Sequence, residues 1–154
     1  MKPFFLYAIC LGGIFFLATL SAQPLPARSN DQIKFEHLSI DQGLSQNTVQ
    51  CILQDRQGFM WFGTQDGLNK YDGYGFTVYK PDPQNPQSLS GNRIESLYED
   101  RAGTLWIGTD RSGLYQFDPA TETFRHFQHD PQKPQSLSNN TVLAIYEDQS
   151  GALW

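Results

Sequence analysis

Cysteine is nearly missing from this chain, whose 154 residues include only Cys10 and Cys51. Basic residues are few as well: eleven Lys and Arg stand against sixteen Asp and Glu, a net charge of −5. Each shortage excludes something. A scattered minority of cations is a poor fit to a phosphate-tracking surface, so no nucleic acid is expected as a partner. A chain left with Cys51 alone after removal of its N-terminal segment forms no internal disulfide and must be stabilised by packing. Beyond Leu20 there is no long apolar run, and no helical period follows.

The start of the chain reads as an export signal. Lys2 supplies a positive charge, Phe4 to Leu20 is apolar, and Ser21-Ala22 offers small residues for cleavage. The alternative is a retained anchor, since seventeen apolar residues lie at the lower edge of what spans a bilayer. Gly12-Gly13, Pro24 and Pro26 favour cleavage after Ala22. The expected organisation is a signal peptide over 1–22, a linker over 23–32 and a folded region over 33–154, placed outside the cytoplasm. Cys10 follows Ile9, which fits lipid modification badly.

The chain is rich in aromatics, 14%, and it repeats itself. "QDRQGFMWFGT" at Gln54 to Thr64 returns as "EDRAGTLWIGT" at Glu99 to Thr109 and begins again as "EDQSGALW" at Glu147 to Trp154. Leu44, Leu89 and Leu137 each precede Trp61, Trp106 and Trp154 by seventeen residues; Asp55, Asp100 and Asp148 precede them by six, and Gly58, Gly103 and Gly151 by three. The Trp spacing is 45 and then 48 residues, and the extra residues fall in two turns. A fixed period with insertions confined to turns marks repeated units of structure.

Within a unit the local signals are all β. "NTVQCILQD" and "NRIESLYED" have strand length and composition, D-x-x-G has the form of a four-residue turn, and "FMWFGT" or "TLWIGT" supplies a second strand. "GLNKYD" or "GLYQFD" and then "FTVYK" or "FRHFQ" complete four. Four short antiparallel strands per unit describe the blade of a β-propeller, so the expected fold is all-β, with two complete blades and the start of a third at Thr141 to Asp148. "FEHL" at Phe35 to Leu38 has the look of an orphan fourth strand.

Several residue columns have structural readings. The Trp column is expected as inter-blade filler and the Asp column as a cap on its own turn. Val49, Ile52 and Leu53 are expected to be covered on both faces. Cys51 aligns with Ser96 and Ala144, as a tight core position would, and no neighbouring His supports a catalytic thiol. The linkers Asp82 to Asn92 and Asp130 to Asn140 agree at nine of eleven positions, and their prolines suggest a stiff, extended crossover. His126, His129 and Asp130 are weak metal candidates, because residues three apart on a strand face opposite ways.

With those residues in view, "DRQGFMWFGTQDGLNKYD" and "DRAGTLWIGTDRSGLYQFD" resemble the repeats of the two-component regulator propellers, and "FEHLSIDQGLSQNTV" resembles their usual opening. The resemblance implies an extracytoplasmic sensor propeller of about seven blades, whose parent receptor sits in the inner membrane. The parent's remaining blades and a kinase or cyclase output are then the expected partners, with a possible homodimer of the parent. No cofactor, metal or catalytic residue is expected here. The ligand, a small molecule or an oligosaccharide, is expected over the end where crossovers and second-to-third-strand turns gather, so Asn47, Gln65, Asp66, Asn92, Asp110 and Arg111 are the candidates. Two alternatives stay open: a secreted carbohydrate-active enzyme with a sialidase-like propeller, and a non-catalytic interaction scaffold.

Overall fold

The computed structural model describes residues 34–154. The expected signal peptide, 1–22, and linker, 23–32, lie outside the described residues. Glu36–Trp154 forms one compact unit, and no helix among the described residues is long and apolar enough to cross a membrane.

Among the described residues eight strands form two sheets of identical plan. β1 (Val49–Gln54), β2 (Met60–Thr64), β3 (Gly67–Tyr71) and β4 (Phe76–Tyr79) pair in sequence order, and so do β5 (Ile94–Glu99), β6 (Leu105–Thr109), β7 (Leu114–Asp118) and β8 (Thr123–Phe127). Every pairing is antiparallel. These are two propeller blades, stacked with β5 against β1 and β2.

The D-x-x-G turn does more than reverse the chain. Asp55 Oδ1 accepts from the backbone N–H of Gln57 at 3.0 Å and Phe59 at 2.9 Å, while Oδ2 accepts the indole N–H of Trp61 at 2.8 Å. Asp100 repeats the arrangement with Thr104 and Trp106, and Asp148 with Ser150, Ala152 and Trp154. Desolvation pulls the Asp100 carboxyl upward, but hydrogen bonds from Trp106 and Thr104 outweigh it and hold it below the usual carboxylate range.

Glycine and threonine of W-x-G-T have separate reasons to be there. A Cβ on Gly63 would lie 2.6 Å from Ile94 Cγ2 of the next blade and against Cys51 Sγ, and one on Gly108 would lie 2.6 Å from the Val142 carbonyl. Only glycine lets the following unit approach so closely. Thr64 and Thr109 are fully buried, and their hydroxyls close the β2–β3 and β6–β7 turns by donating to the carbonyls of Gly67 at 3.0 Å and Gly113 at 2.8 Å.

The core lies between the blades. Trp61, 2% exposed, packs edge-on against Phe117 at 5.2 Å and stacks on Tyr79 at 6.0 Å, with Leu105, Ile107 and Tyr115 beside it. Such aromatic pairs contribute about 0.5–1.5 kcal/mol each beyond their buried area. Leu44 and Leu89 are buried where the chain enters each blade. The residue after each leucine is tied to the third strand: Asn69 Oδ1 accepts from Ser45 N at 2.8 Å, and Tyr115 Oη accepts from Ser90 N at 3.1 Å. Cys51 packs against this core, as its column suggested, and burial pushes its thiol up to about 11.

Four expectations need correction. The crossover is folded rather than extended: Asn85 N donates to Asp82 O and Ser88 N to Asn85 O, with the Ser88 hydroxyl returning to Asp82, and residues 130–136 repeat this. Pro83 and Pro86 each follow an Asx residue whose side chain caps the turn, so the prolines occupy the second position of tight turns. Phe35 to Leu38 carries no strand. The third unit forms only a narrow hairpin in which Tyr146 and Trp154 exchange backbone hydrogen bonds, not a strand over Thr141 to Asp148.

Burial supplies the fourth correction. Along β1 it alternates, leaving Ile52 58% exposed, and Trp106 is half-buried while Trp154 is 77% exposed. Full burial of the Trp column needs a complete sheet on each side, and only Trp61 lies between two.

Candidate functional site

The candidate residues gather at the end of the blades opposite the D-x-x-G turns. In blade 1 a two-residue loop, Gln65-Asp66, joins β2 to β3. Its backbone is held from both sides: Gln65 N donates to Thr48 O at 3.3 Å, and Gly67 N to Asn92 O at 2.6 Å. Asp66 Oδ2 pairs with Lys80 Nζ at 2.6 Å and Oδ1 accepts from Asn92 Nδ2 at 3.2 Å. The hydrogen bond from Lys80 is the main reason the Asp66 carboxyl sits below its usual range.

Blade 2 is built in parallel with one extra residue. Thr109 N closes the longer loop on Gly113 O at 3.1 Å, and the added length places Arg111 in the left-handed region at φ 67°. Gly113 N reaches Asn140 O at 2.7 Å, as Gly67 reaches Asn92. Asp110 Oδ1 accepts from the Thr141 hydroxyl at 3.3 Å, and Oδ2 lies 4.0 Å from Arg93 Nη1 and 3.7 Å from Arg111 Nε.

The six candidates divide by what they already hold. Asp66, Asn92 and Asp110 join one unit to the next. Asn47 Oδ1 accepts from Ile40 N at 3.0 Å, fastening the short 3-10 helix Ile40–Gln42 to the entrance of blade 1. Gln65 is exposed, and the Arg111 side chain is 87% exposed even with its Nε beside Asp110, so these two turn recognition groups to solvent. A hollow of about 640 Å³ lies elsewhere, lined by Trp106, Leu114, Phe127, Pro134, Leu137 and Leu153, among others.

Lys80, Arg93 and Thr141 belong to the same network, and the sequence reading missed them. Lys80 and Arg93 pair with carboxylates of their own blades and Thr141 with Asp110 of the preceding one, contacts that only folding brings together, although the alignment of Asn47, Asn92 and Asn140 at each blade entrance was a signal for the region. The arrangement offers hydrogen-bond donors and acceptors. His126 stacks on Tyr115 at 4.2 Å with its Nε2 on Ser112 O, and His129 Nδ1 meets Leu137 O at 2.6 Å, so the two imidazoles do not converge. Among the described residues no cluster of three potential metal ligands exists. On the first strands Glu95 is paired with Arg93 and Glu99 with Arg56.

The repeat profile described as "Two component regulator propeller" matches residues 43–66, 88–111 and 136–154, each match running from a blade entrance into or through the Trp-centred second strand. The chain carries the repeats of the two-component regulator propellers. Among solved structures, this propeller chain is similar to the extracellular domain of the hybrid two component system BT3049 from B. thetaiotaomicron, with 41% identity, a TM-score of 0.72, and coverage of 77% of this chain and 17% of that one. The extracellular domain of BT4673 from the same organism, described as a one component system, aligns at 28% identity and a TM-score of 0.63, covering 79% of this chain and 17% of that one. A curated relative, Histidine kinase P4 of Formosa agariphila, is 37% identical over 77 residues, 49% of this chain and 6% of the kinase. This propeller chain thus spans a small part of the length of each.

Proposed function

We propose that this chain serves in the extracytoplasmic ligand-sensing propeller of a two-component receptor, exported by its N-terminal segment and joined to a kinase or cyclase output. Its similarity to an extracellular domain of a hybrid two component system, 41% identical over 77% of the chain, carries that reading. The ligand, a small molecule or an oligosaccharide, sits over the end that displays Gln65 and Arg111. Both side chains are open to solvent while their loops are held by the next unit, so recognition groups stand on a fixed backbone.

Calorimetric titration of the full chain with a panel of mono- and oligosaccharides and small organic acids tests this. A binder is expected whose affinity falls about tenfold in Gln65→Ala or Arg111→Ala, the loss of roughly 1.4 kcal/mol of contact. Binding unchanged in both variants would move the site elsewhere, and a panel without any binder would favour the interaction scaffold. N-terminal sequencing of the exported protein is expected to start at Gln23.

A further inference from the structure

At the D-x-x-G end, each of the first two units reaches into the next in the same way. Arg56 directly follows the turn aspartate of blade 1. Its backbone N–H donates to Glu99 Oε2 at 3.0 Å and its Nε pairs with Glu99 Oε1 at 2.9 Å, so one residue occupies both oxygens of the carboxylate. Its two terminal nitrogens donate to the carbonyls of Asp100 at 2.6 Å and Arg101 at 3.2 Å. The guanidinium lies over Gly103: a Cβ there would come within 3.1 Å of Arg56 Cζ. Forty-five residues later Arg101 repeats the backbone and carbonyl contacts, with its N–H on Glu147 Oε2 at 2.8 Å and its terminal nitrogens on the carbonyls of Asp148 at 2.8 Å and Gln149 at 3.2 Å.

We infer that Arg56 and Arg101 form a directional latch that selects the neighbouring blade, and that the surface each one reads is a turn of the form Glu-Asp-x-x-Gly. Each part of that pattern has its own task. Glu receives the arginine's backbone N–H, the Asp carbonyl receives a terminal nitrogen while the Asp carboxylate keeps the turn closed, and Gly103 leaves a flat floor beneath Arg56. Charge alone does not specify this contact. A planar fork with several donors matches one carboxylate and two carbonyls at once, which a lysine ammonium cannot do. Glu99 and Glu147 are largely shielded, with 14% side-chain exposure for Glu99 and 9% residue exposure for Glu147, so the Arg56–Glu99 pair escapes part of the screening that weakens surface ion pairs.

The sequence also says where the latch is not written. At the acidic position blade 1 has Gln54, and at the arginine position the third unit has Gln149. Neither amide provides the charge that the latch uses, so within residues 34–154 the latch is written for the steps from the first unit to the second and from the second to the third. It is independent of what the opposite end binds.

The test is a double-mutant cycle on the full chain with Arg56→Ala, Glu99→Ala and the pair, alongside Arg56→Lys. Each single alanine variant is expected to lower the thermal midpoint by about 4–8 °C, the pair by clearly less than their sum, and Arg56→Lys to recover less than half of the loss. Hydrogen exchange gives a second readout for a variant that unfolds too easily for melting curves. In Arg56→Lys the amides of residues 101–104 are expected to exchange at least tenfold faster, with those of residues 57–59 unchanged. Additive midpoint shifts, full rescue by lysine, or equal exchange at both turns would overturn the inference.

Discussion

Trp61 Nε1 lies 2.8 Å from Asp55 Oδ2, so the buried indole and the exposed turn six residues earlier are held by one carboxylate. The same link joins Asp100 to Trp106 and Asp148 to Trp154. This explains why the two residue types recur at a fixed distance. Trp fills the space between blades, its N–H needs an acceptor there, and the aspartate that closes the turn supplies it.

Asp100→Asn is therefore expected to destabilise the chain by about 1–3 kcal/mol. Whichever way the amide turns, an N–H₂ faces either the indole or the turn amide, and a donor is left without its partner. Urea unfolding followed by Trp fluorescence measures the effect. A midpoint equal to that of the parent would show that the carboxylate is dispensable.

Acid should weaken the fold through a recognisable set of groups. Lys80 lowers Asp66, the Trp106 and Thr104 bonds outweigh desolvation at Asp100, backbone N–H groups beginning with that of Ala120 lower Asp118, and the Ser150 and Trp154 bonds lower Asp148. Folded values below unfolded ones mean that this stability is complete above the unfolded carboxylate value near 3.9 and is lost as pH falls through the folded values. Urea midpoints at pH 7, 5 and 3 should thus be level over the first interval and fall over the second. A fall confined to the interval from pH 7 to 5 would assign the pH sensitivity to other groups.

Two glycines separate close packing from backbone conformation. Gly63→Ala forces a methyl against Ile94 and Cys51 and is expected to cost about 1–3 kcal/mol. Gly58→Ala meets no atom within 4 Å but must hold φ near +94°, for about 1 kcal/mol. Thermal melts of both variants should rank Gly63→Ala as the more damaging, and the reverse order would contradict the close approach of the next blade.

Cys51 is expected to resist alkylation in the folded chain. With its thiol pushed up to about 11 by burial, on the order of one molecule in a thousand is thiolate at pH 8. Peptide mapping after iodoacetamide treatment should find Cys51 unmodified in native protein and modified in urea. Rapid native labelling would place the thiol in a more open setting.

The strands were legible because each unit writes its own pairing locally, and the repeated turns set the register. The candidate site was legible only as a region. Asn92 and Asp66 are 26 residues apart and meet through a side-chain bond between units, and Thr141 meets Asp110 across 31. Partners that far apart leave no local pattern. The proline-rich crossover misled for a related reason: proline restricts φ to a value that suits both an extended segment and the second position of a tight turn. The Asx side chains and the returning Ser88 and Ser136 hydroxyls select the turn.

By itself the sequence determined the period, the all-β class and the identity of the columns, because hydrophobic pattern and turn chemistry act within a few residues. Only the tertiary structure decided which members of a column are buried and which residues join one blade to another. Trp61, Trp106 and Trp154 are the same residue in the same local frame, yet their burial ranges from 2% exposed to 77% exposed. Burial depends on the sheet stacked against each one. Arg56 and Glu99 likewise look like ordinary surface charges until stacking brings one turn over the next and places them 2.9 Å apart.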